Sequence, residues 1–350
     1  GNYSINVPGA DLAVDSSIAA SVSTTDTAGN TGTGTDTQSY TVDMIPPMGP
    51  TVDSLTTNDS TPTVTGMVTL GSGESLIVTV NGATYTTSNG LTVNPLTGTW
   101  SVTLPNTADG IYEVVATVTD AAGNSTGDVS STELTIITTL PTPTIAVNDV
   151  TPDNILNAAE SGMMVAISGT TTGTKVGDTV TLEVNGNTYT GTVDASGNFS
   201  IDVSGADLAA DSDKIIAASV STTDSVGNTG TGTDTQVYTA DIDAPSLTIA
   251  VDSVTVDNIL NATEAGGTVA VTGTATGTQT GDRVTLTING KTFTGTVDAM
   301  GKFSIDVPGS DLEADPDVII DASVSSTDTA GNTGTATDTQ SYTVDTTAPA

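Results

Sequence analysis

The stretch that decides the fold is Arg283-Val-Thr-Leu-Thr-Ile-Asn-Gly-Lys-Thr-Phe-Thr-Gly-Thr296. Val284, Leu286 and Ile288 alternate with polar residues, the period of a strand with one buried face. Asn289-Gly290 supplies the two positive φ angles of a type I′ turn, so the stretch predicts a β-hairpin. The same Asn-Gly pair stands at 81, 185 and 289, a constant step of 104 residues. Such a step marks a tandem repeat.

Outward from the hairpin, the last repeat keeps its period-two alternation, and no helical period is evident. Strands are predicted at Leu247–Val251, Thr268–Gly273, Arg283–Ile288, Lys291–Thr296, Phe303–Val307, near Ile319–Thr327 and near Thr337–Val344. Seven strands in about 100 residues imply an all-β fold of tandem immunoglobulin-like β-sandwich domains, arranged as a linear rod. The Cys–Trp–Cys signature of antibody domains is missing, so the label describes architecture. Tyr3-Ser-Ile-Asn-Val-Pro-Gly-Ala-Asp-Leu12 matches Phe303-Ser-Ile-Asp-Val-Pro-Gly-Ser-Asp-Leu312. Residues 1–45 therefore read as the second half of a repeat, followed by whole repeats at 46–141, 142–244 and 245–350, a fragment of something longer.

The 350 residues carry 41 Asp+Glu against 5 Lys+Arg, for a formal charge of −36, with no Cys and no His. Nothing here neutralises phosphates, which excludes nucleic acid. No run of about 18 apolar residues is present, so no membrane insertion is expected. The lack of His and Cys removes the usual catalytic bases and nucleophiles, and the chain does not read as an enzyme. The excess carboxylates repel one another unless a counterion joins them, and no disulfide staples the small domains.

Two acidic motifs recur where repeats meet. One is a strand ending in a carboxylate before a proline: Tyr40-Thr-Val-Asp43, Tyr238-Thr-Ala-Asp241-Ile-Asp243-Ala-Pro245 and Tyr342-Thr-Val-Asp345-Thr-Thr-Ala-Pro349. The other is the loop Asp-x-Ala/Val-Gly-Asn at Asp26–Asn30, Asp120–Asn124, Asp224–Asn228 and Asp328–Asn332. In such a sandwich the loop before the last strand sits at the end where the chain enters. There Asp120, Asn124 and Glu74 form one candidate set, Asp224, Asn228 and Asp178 a second, and Asp328, Asn332 and Asp282 a third, with Asp43, Asp241 and Asp243 arriving from the linkers. Calcium takes six to eight oxygens from carboxylates, Asn side chains and carbonyls, so these sets predict calcium shared between adjacent repeats. A plain turn is the alternative, because Asp, Gly and Asn are common turn formers.

A second set is expected at the exit end. Asp153-Asn-Ile-Leu-Asn157-Ala-Ala-Glu160 repeats as Asp257-Asn-Ile-Leu-Asn261-Ala-Thr-Glu264. Asp207, Asp211 and Asp213 would face the first, and Asp311, Asp315 and Asp317 the second. This spacing suggests a short helical turn presenting oxygens to calcium, or else a simple capping box. Repeat 46–141 lacks the set and has a short connection, Pro105-Asn-Thr-Ala-Asp-Gly110. At its end Ile137 replaces the linker carboxylate, which predicts a site weaker, empty or filled differently, and the most flexible joint. Trp100 takes the place of Phe199 and Phe303, as core or rim packing or, alternatively, as a sugar-stacking surface.

These motifs resemble the tandem bacterial Ig-like repeats of giant calcium-binding adhesins, exported by type I secretion in Gram-negative bacteria. The resemblance covers the whole chain and implies calcium at the joints, stiffening outside the cell, and a secreted or cell-surface location. It implies an extender in cell adhesion, with neighbouring repeats as partners, host or surface glycans reached through the parent protein, and a monomeric chain. A glycan- or receptor-binding module, with repeat 46–141 as candidate, is the alternative, and an accessory domain of a polysaccharide-degrading enzyme is a third.

Overall fold

The computed structural model describes residues 1–348, so Pro349 of the last linker motif lies outside it. The chain forms two compact units. One comprises Gly1–Leu140 with the loop Thr223–Asn228, the other Pro141–Thr222 with the chain from Thr229 onward. Among the described residues no helix is long and apolar enough to cross a membrane.

In the second unit the hairpin forms as its alternation requires. Arg283–Ile288 pairs antiparallel with Lys291–Thr296, Leu286 opposite Phe293, and Asn289 turns at φ 52°. Ile319–Thr327 and Thr333–Ser341 complete a four-stranded sheet. A three-stranded sheet of Thr248–Val251, Thr268–Thr276 and Lys302–Pro308 forms the opposite layer. The inward residues of both layers, among them Val271, Val284, Leu286, Ile305 and Ile320, make one buried core. The chain before Tyr238 repeats this plan, with Thr179–Val184, Asn187–Thr192, Ile215–Thr223 and Thr229–Val237 facing Thr144–Val147, Met164–Thr172 and Asn198–Ser204. Outward positions are largely Thr, which suits a pleated surface without exposing apolar area. Cross-strand hydroxyl pairs such as Thr248–Thr276 (2.6 Å) and Thr144–Thr172 (2.7 Å) join them.

Two features depart from the sequence expectation. The last strand begins at Thr333, not near Thr337, and breaks at Tyr342; its end, Thr343–Asp345, pairs in parallel with a short strand Ile259–Asn261. The break has a cause: Tyr342 turns inward, 2 % exposed, and its hydroxyl donates to the Leu312 carbonyl (2.7 Å) and the Asp315 carboxylate (3.2 Å). Tyr238 does the same to Leu208 (2.8 Å) and Asp211 (3.2 Å). The other is a helical turn, Gly309–Glu313, too short to leave a periodic signal, whereas the turn Ala262–Ala265 with its capping box is the one the Asp257–Glu264 spacing suggests.

The first unit holds a third core around Val78, Trp100, Val114 and Leu134. Thr63–Met67, Thr99–Thr103 and Leu91–Asn94 form one sheet, and Ser125–Gly127, Val114–Thr119, Ser75–Val80 and Ala83–Tyr85 another. Trp100 is 1 % exposed and donates to the Thr51 carbonyl (3.0 Å), so it packs the core and presents no stacking surface. The final strand is broken here too. After Gly127 the ladder position opposite Ala116 is taken by the Asp128 carboxylate (2.9 Å) and that at Val114 by Glu133 (3.0 Å). Residues 1–45 contribute a helical turn, Gly9–Leu12, and a hairpin of Ser17–Thr25 and Thr31–Ser39. Tyr40 forms the same corner there, donating to Leu12 (2.9 Å).

The tyrosine corner predicts a local stability cost. Tyr342→Phe keeps the ring but removes its hydrogen bond, and should destabilise the sandwich that contains it by about 1–3 kcal/mol in urea unfolding. A loss below about 0.5 kcal/mol would show that the hydroxyl does not hold the break in the last strand.

Candidate metal centre at the linker

In the second unit three pieces of chain meet around Asp241. The linker arrives in parallel with the exit turn: Ile155 opposes Thr239, Leu156 opposes Ala240, and the Asp241 amide donates to the Leu156 carbonyl (3.0 Å). Asn157 then caps the helical turn Ala158–Ser161, accepting from the amides of Ala159 and Glu160 (3.0 Å each). Glu160 returns the bond to the Asn157 amide (3.0 Å), completing a capping box. The third piece is the loop Asp328–Asn332 of the next sandwich.

Asn332 ties the three together. Its amide donates to the Asp241 carbonyl (2.8 Å) and to Asp328 (3.1 Å), and its oxygen accepts from the Ala158 amide (2.8 Å). It is 5 % exposed, so each of these bonds replaces one to water. Asp328 in turn accepts from the amides of Ala330 and Asn332 (2.9 Å each). Burial is the largest single influence on Asp328 and raises its pKa, but the bonds from Asn332, Ala330 and Gly331 together outweigh it and leave the carboxyl below its ordinary value. Gly331 has φ 90°, and a Cβ there would stand 3.6 Å from the Asn157 side-chain nitrogen Nδ2. The exit turn of one sandwich and the entry loop of the next thus share one joint, although the sequence reading assigns them to separate sites. The linker that both motifs flank was the signal.

Several oxygens at this joint keep free capacity. Glu160 uses one carboxylate oxygen in its capping box, and Asp241 uses one for the Asp243 amide (3.3 Å). Their second oxygens, and both of Asp243, accept no hydrogen bond among the described residues. Further along, Asn261 lies opposite Asp345 in register, and Glu264, Asp345 and Thr347 line one hollow. Among the described residues no three acidic side chains close on one point. The donor chemistry nevertheless fits a hard cation: carboxylate oxygens and carbonyls, with no His or Cys in the chain.

The first unit carries the same fastening twice. Asn124 donates to the Asp43 carbonyl (3.1 Å) and to Asp120 (2.8 Å). Asn228 donates to the Ile137 carbonyl and to Asp224 (2.7 Å each). Asp43 accepts from Ile45 (3.0 Å). Asn58 stands where Asn157 does, 3.7 Å from a Cβ built on Gly227, a correspondence that the sequence reading missed because Thr56–Thr61 has no Glu at the matching offset. Also missed was Asp109, which bonds Thr138 and Thr139 after Ile137; its only sequence signal was an acid in a shortened connection.

The remaining candidates serve their own sandwiches. Glu74, Asp178 and Asp282 accept from the amides three residues before them, Gly71 (2.7 Å), Lys175 and Gln279 (2.6 Å each). Asp153 and Asp257 each close a turn through a threonine hydroxyl and the amide two residues on, bonds that lower both pKa values, with that amide the largest cause. Asp207 takes a bond from Tyr189, and Asp311 pairs with Lys291 (2.6 Å). Asp211 and Asp315 brace the tyrosine corners, and Asp213 and Asp317 bond the amides of Ile215 and Ile319. The structure therefore brings Asn157, Glu160, Asp241, Asp243, Asp328 and Asn332 to one joint. It holds Asp207, Asp211, Asp213, Asp311, Asp315 and Asp317 within their own sandwiches.

Asn332→Ala removes three bonds and leaves the Ala158 amide unpartnered. Amide exchange at Ala158 should accelerate at least tenfold, while core amides such as Leu286 stay protected. Unchanged exchange at Ala158 would show that Asn332 is not the strut of this joint.

The comparisons with known proteins agree with this picture. A profile of the bacterial Ig-like domain matches residues 50–138. A Ca2+-stabilized adhesin with which an Antarctic bacterium reaches out and binds ice is 43 % identical, over 98 % of this chain and 85 % of that one, with a TM-score of 0.68. A 1.5-MDa bacterial ice-binding adhesin, known from work on host cell surface retention, is 38 % identical over 87 % of this chain and 100 % of that one, with a TM-score of 0.67. No curated protein matches. Identity at this level along nearly the whole chain, over the same sandwiches, decides the family: the chain belongs to the tandem Ig-like repeats of large bacterial adhesins.

Proposed function

We propose that the chain is an extender of a bacterial surface adhesin, with a structural and non-catalytic role, and that calcium bound at its joints stiffens it. The observation that carries this reading is the joint at Asp241. There Asn332 gathers a linker, an exit turn and an entry loop, and the carboxylates of Glu160, Asp241 and Asp243 retain oxygens without protein donors. A relative described as Ca2+-stabilized, at 43 % identity, supports the choice of ion. Calcium would supply charge neutralisation and a bond between oxygens of successive repeats.

The chain's own residues do the positioning. The parallel pairing of Leu156 with Ala240 holds Asp241 beside Asn157, and the capping box fixes Glu160 one turn away. Without a counterion, a formal charge of −36 keeps these groups apart and the joint loose. An ion bound only by the assembled joint stabilises it by mass action, about 2.7 kcal/mol when its concentration is 100 times its dissociation constant.

Calcium should raise the melting temperature of the chain and lengthen its maximum dimension in solution scattering, relative to the same protein in EGTA. An identical melting temperature and dimension in both would sink the reading. Glu160→Gln and Asp241→Asn each remove charge without changing shape. In calorimetric titration either should weaken at least one class of calcium sites tenfold or more, with Asp153→Asn as the control that leaves this class unchanged.

A further inference from the structure

At the linker after Ile137 the place of the second linker carboxylate is taken by threonines. Asp241-Ile-Asp243 has the counterpart Ile137-Thr-Thr139, so this joint lacks both linker acids. The backbone path is nevertheless the same: the Ile137 amide donates to the Thr57 carbonyl (2.9 Å), as Asp241 does to Leu156. The Ile137 carbonyl accepts from Asn228 (2.7 Å), as Asp241 does from Asn332. What differs is the group that meets the linker next.

That group is Asp109, from the short connection Pro105–Gly110. One of its oxygens accepts from the Thr138 amide (2.8 Å) and the Thr138 hydroxyl, the other from the Thr139 amide (3.0 Å) and the Thr139 hydroxyl (2.6 Å). Each oxygen has two donors, so the carboxylate has the coordination that an ion would otherwise supply. Four donors to a charged acceptor make the strong class of hydrogen bond. The Thr138 hydroxyl first, then that of Thr139, hold the Asp109 carboxyl far below the ordinary carboxylate range.

We propose that Asp109 is a built-in substitute for the cation at this joint, clamping Thr138 and Thr139 so that the linker stays ordered with or without calcium. This goes beyond the calcium reading, and it replaces the flexible joint expected from the missing acid at 137. Asp109 lies 29 and 30 residues before its two partners, so the clamp is not a local turn. It ties the connection between two strands of one sheet pair to the segment that leaves the domain. A chain carrying both kinds of joint would loosen unevenly when calcium is withdrawn, opening at Asp241–Asp243 before Thr138–Thr139.

Residue-resolved amide exchange on the full 350-residue chain, in calcium and in EGTA, tests this. The Thr138 and Thr139 amides should be equally protected in both conditions. Asp109→Asn, which turns one acceptor into a donor facing Thr139, should accelerate both amides at least tenfold in calcium and in EGTA. A double variant, Thr138→Val with Thr139→Val, keeps the amides and removes only the hydroxyls, and should give a smaller acceleration. Core amides at Val78 and Val114 report that the domain remains folded. Protection of Thr138 and Thr139 that disappears in EGTA would overturn the proposal, as would full protection in Asp109→Asn. The Asp243 amide, read in the same spectra, reports on the calcium reading separately: it should lose protection in EGTA whatever Thr138 and Thr139 do.

Discussion

The joints in this chain turn on one asparagine side chain each, buried at Asn228 and Asn332 and half-buried at Asn124, that has to satisfy two donors. Asn124, Asn228 and Asn332 close their own Asp-x-x-Gly-Asn loop with one N–H and hold a linker carbonyl with the other. The bond goes to main chain, so it is indifferent to the linker side chain: Asp43, Ile137 and Asp241 present the same carbonyl. That separates two tasks. The asparagine sets where the linker runs, and the groups around it decide what neutralises the joint. A buried amide without its acceptors would cost about 1–3 kcal/mol, which makes the linker path a condition of the loop's own stability.

The separation explains why joints differ in chemistry without differing in path. At Asp241 the linker acids and Glu160 leave oxygens open, while after Ile137 the carboxylate comes from the domain and the donors from the linker. The two are electrostatic inverses. In one, linker and exit turn are both negative, the arrangement for which a bridging cation is proposed. In the other, the linker is neutral and donates, so a single carboxylate completes it. Interchanging them takes few substitutions, because the backbone bonds at both are already made.

Much of the sandwich was legible because its cause is local. The alternation of Val284, Leu286 and Ile288 and the Asn289-Gly290 turn need no tertiary information. The late break at Tyr342 was not legible, since it depends on where the Leu312 carbonyl stops after a helical turn of five residues. At the joints the residue types were legible and the partners were not. Asn157 and Glu160 looked like an exit site of their own, and only the parallel pairing of Ile155–Leu156 with the linker shows that they belong with Asn332. Asp109 gave almost no signal: an acid before a glycine is ordinary turn chemistry, and its role depends on two threonines about thirty residues away.

The distribution of polar groups carries the argument one step further. Outward strand positions are largely threonines that pair hydroxyl to hydroxyl across strands, so the faces of the sandwiches need little charge to stay soluble. Two strand carboxylates, Asp234 and Asp338, are used internally, receiving the amides of Val147 and Val251 (2.8 Å each). At the linker, where repeats follow one another, Glu160, Asp241 and Asp243 keep open carboxylate oxygens. Each core rests on apolar burial together with the buried hydrogen bonds of its tyrosine corner or of Trp100. On the function proposed above, calcium acts on the freedom between sandwiches, whose cores are already closed by their own side chains.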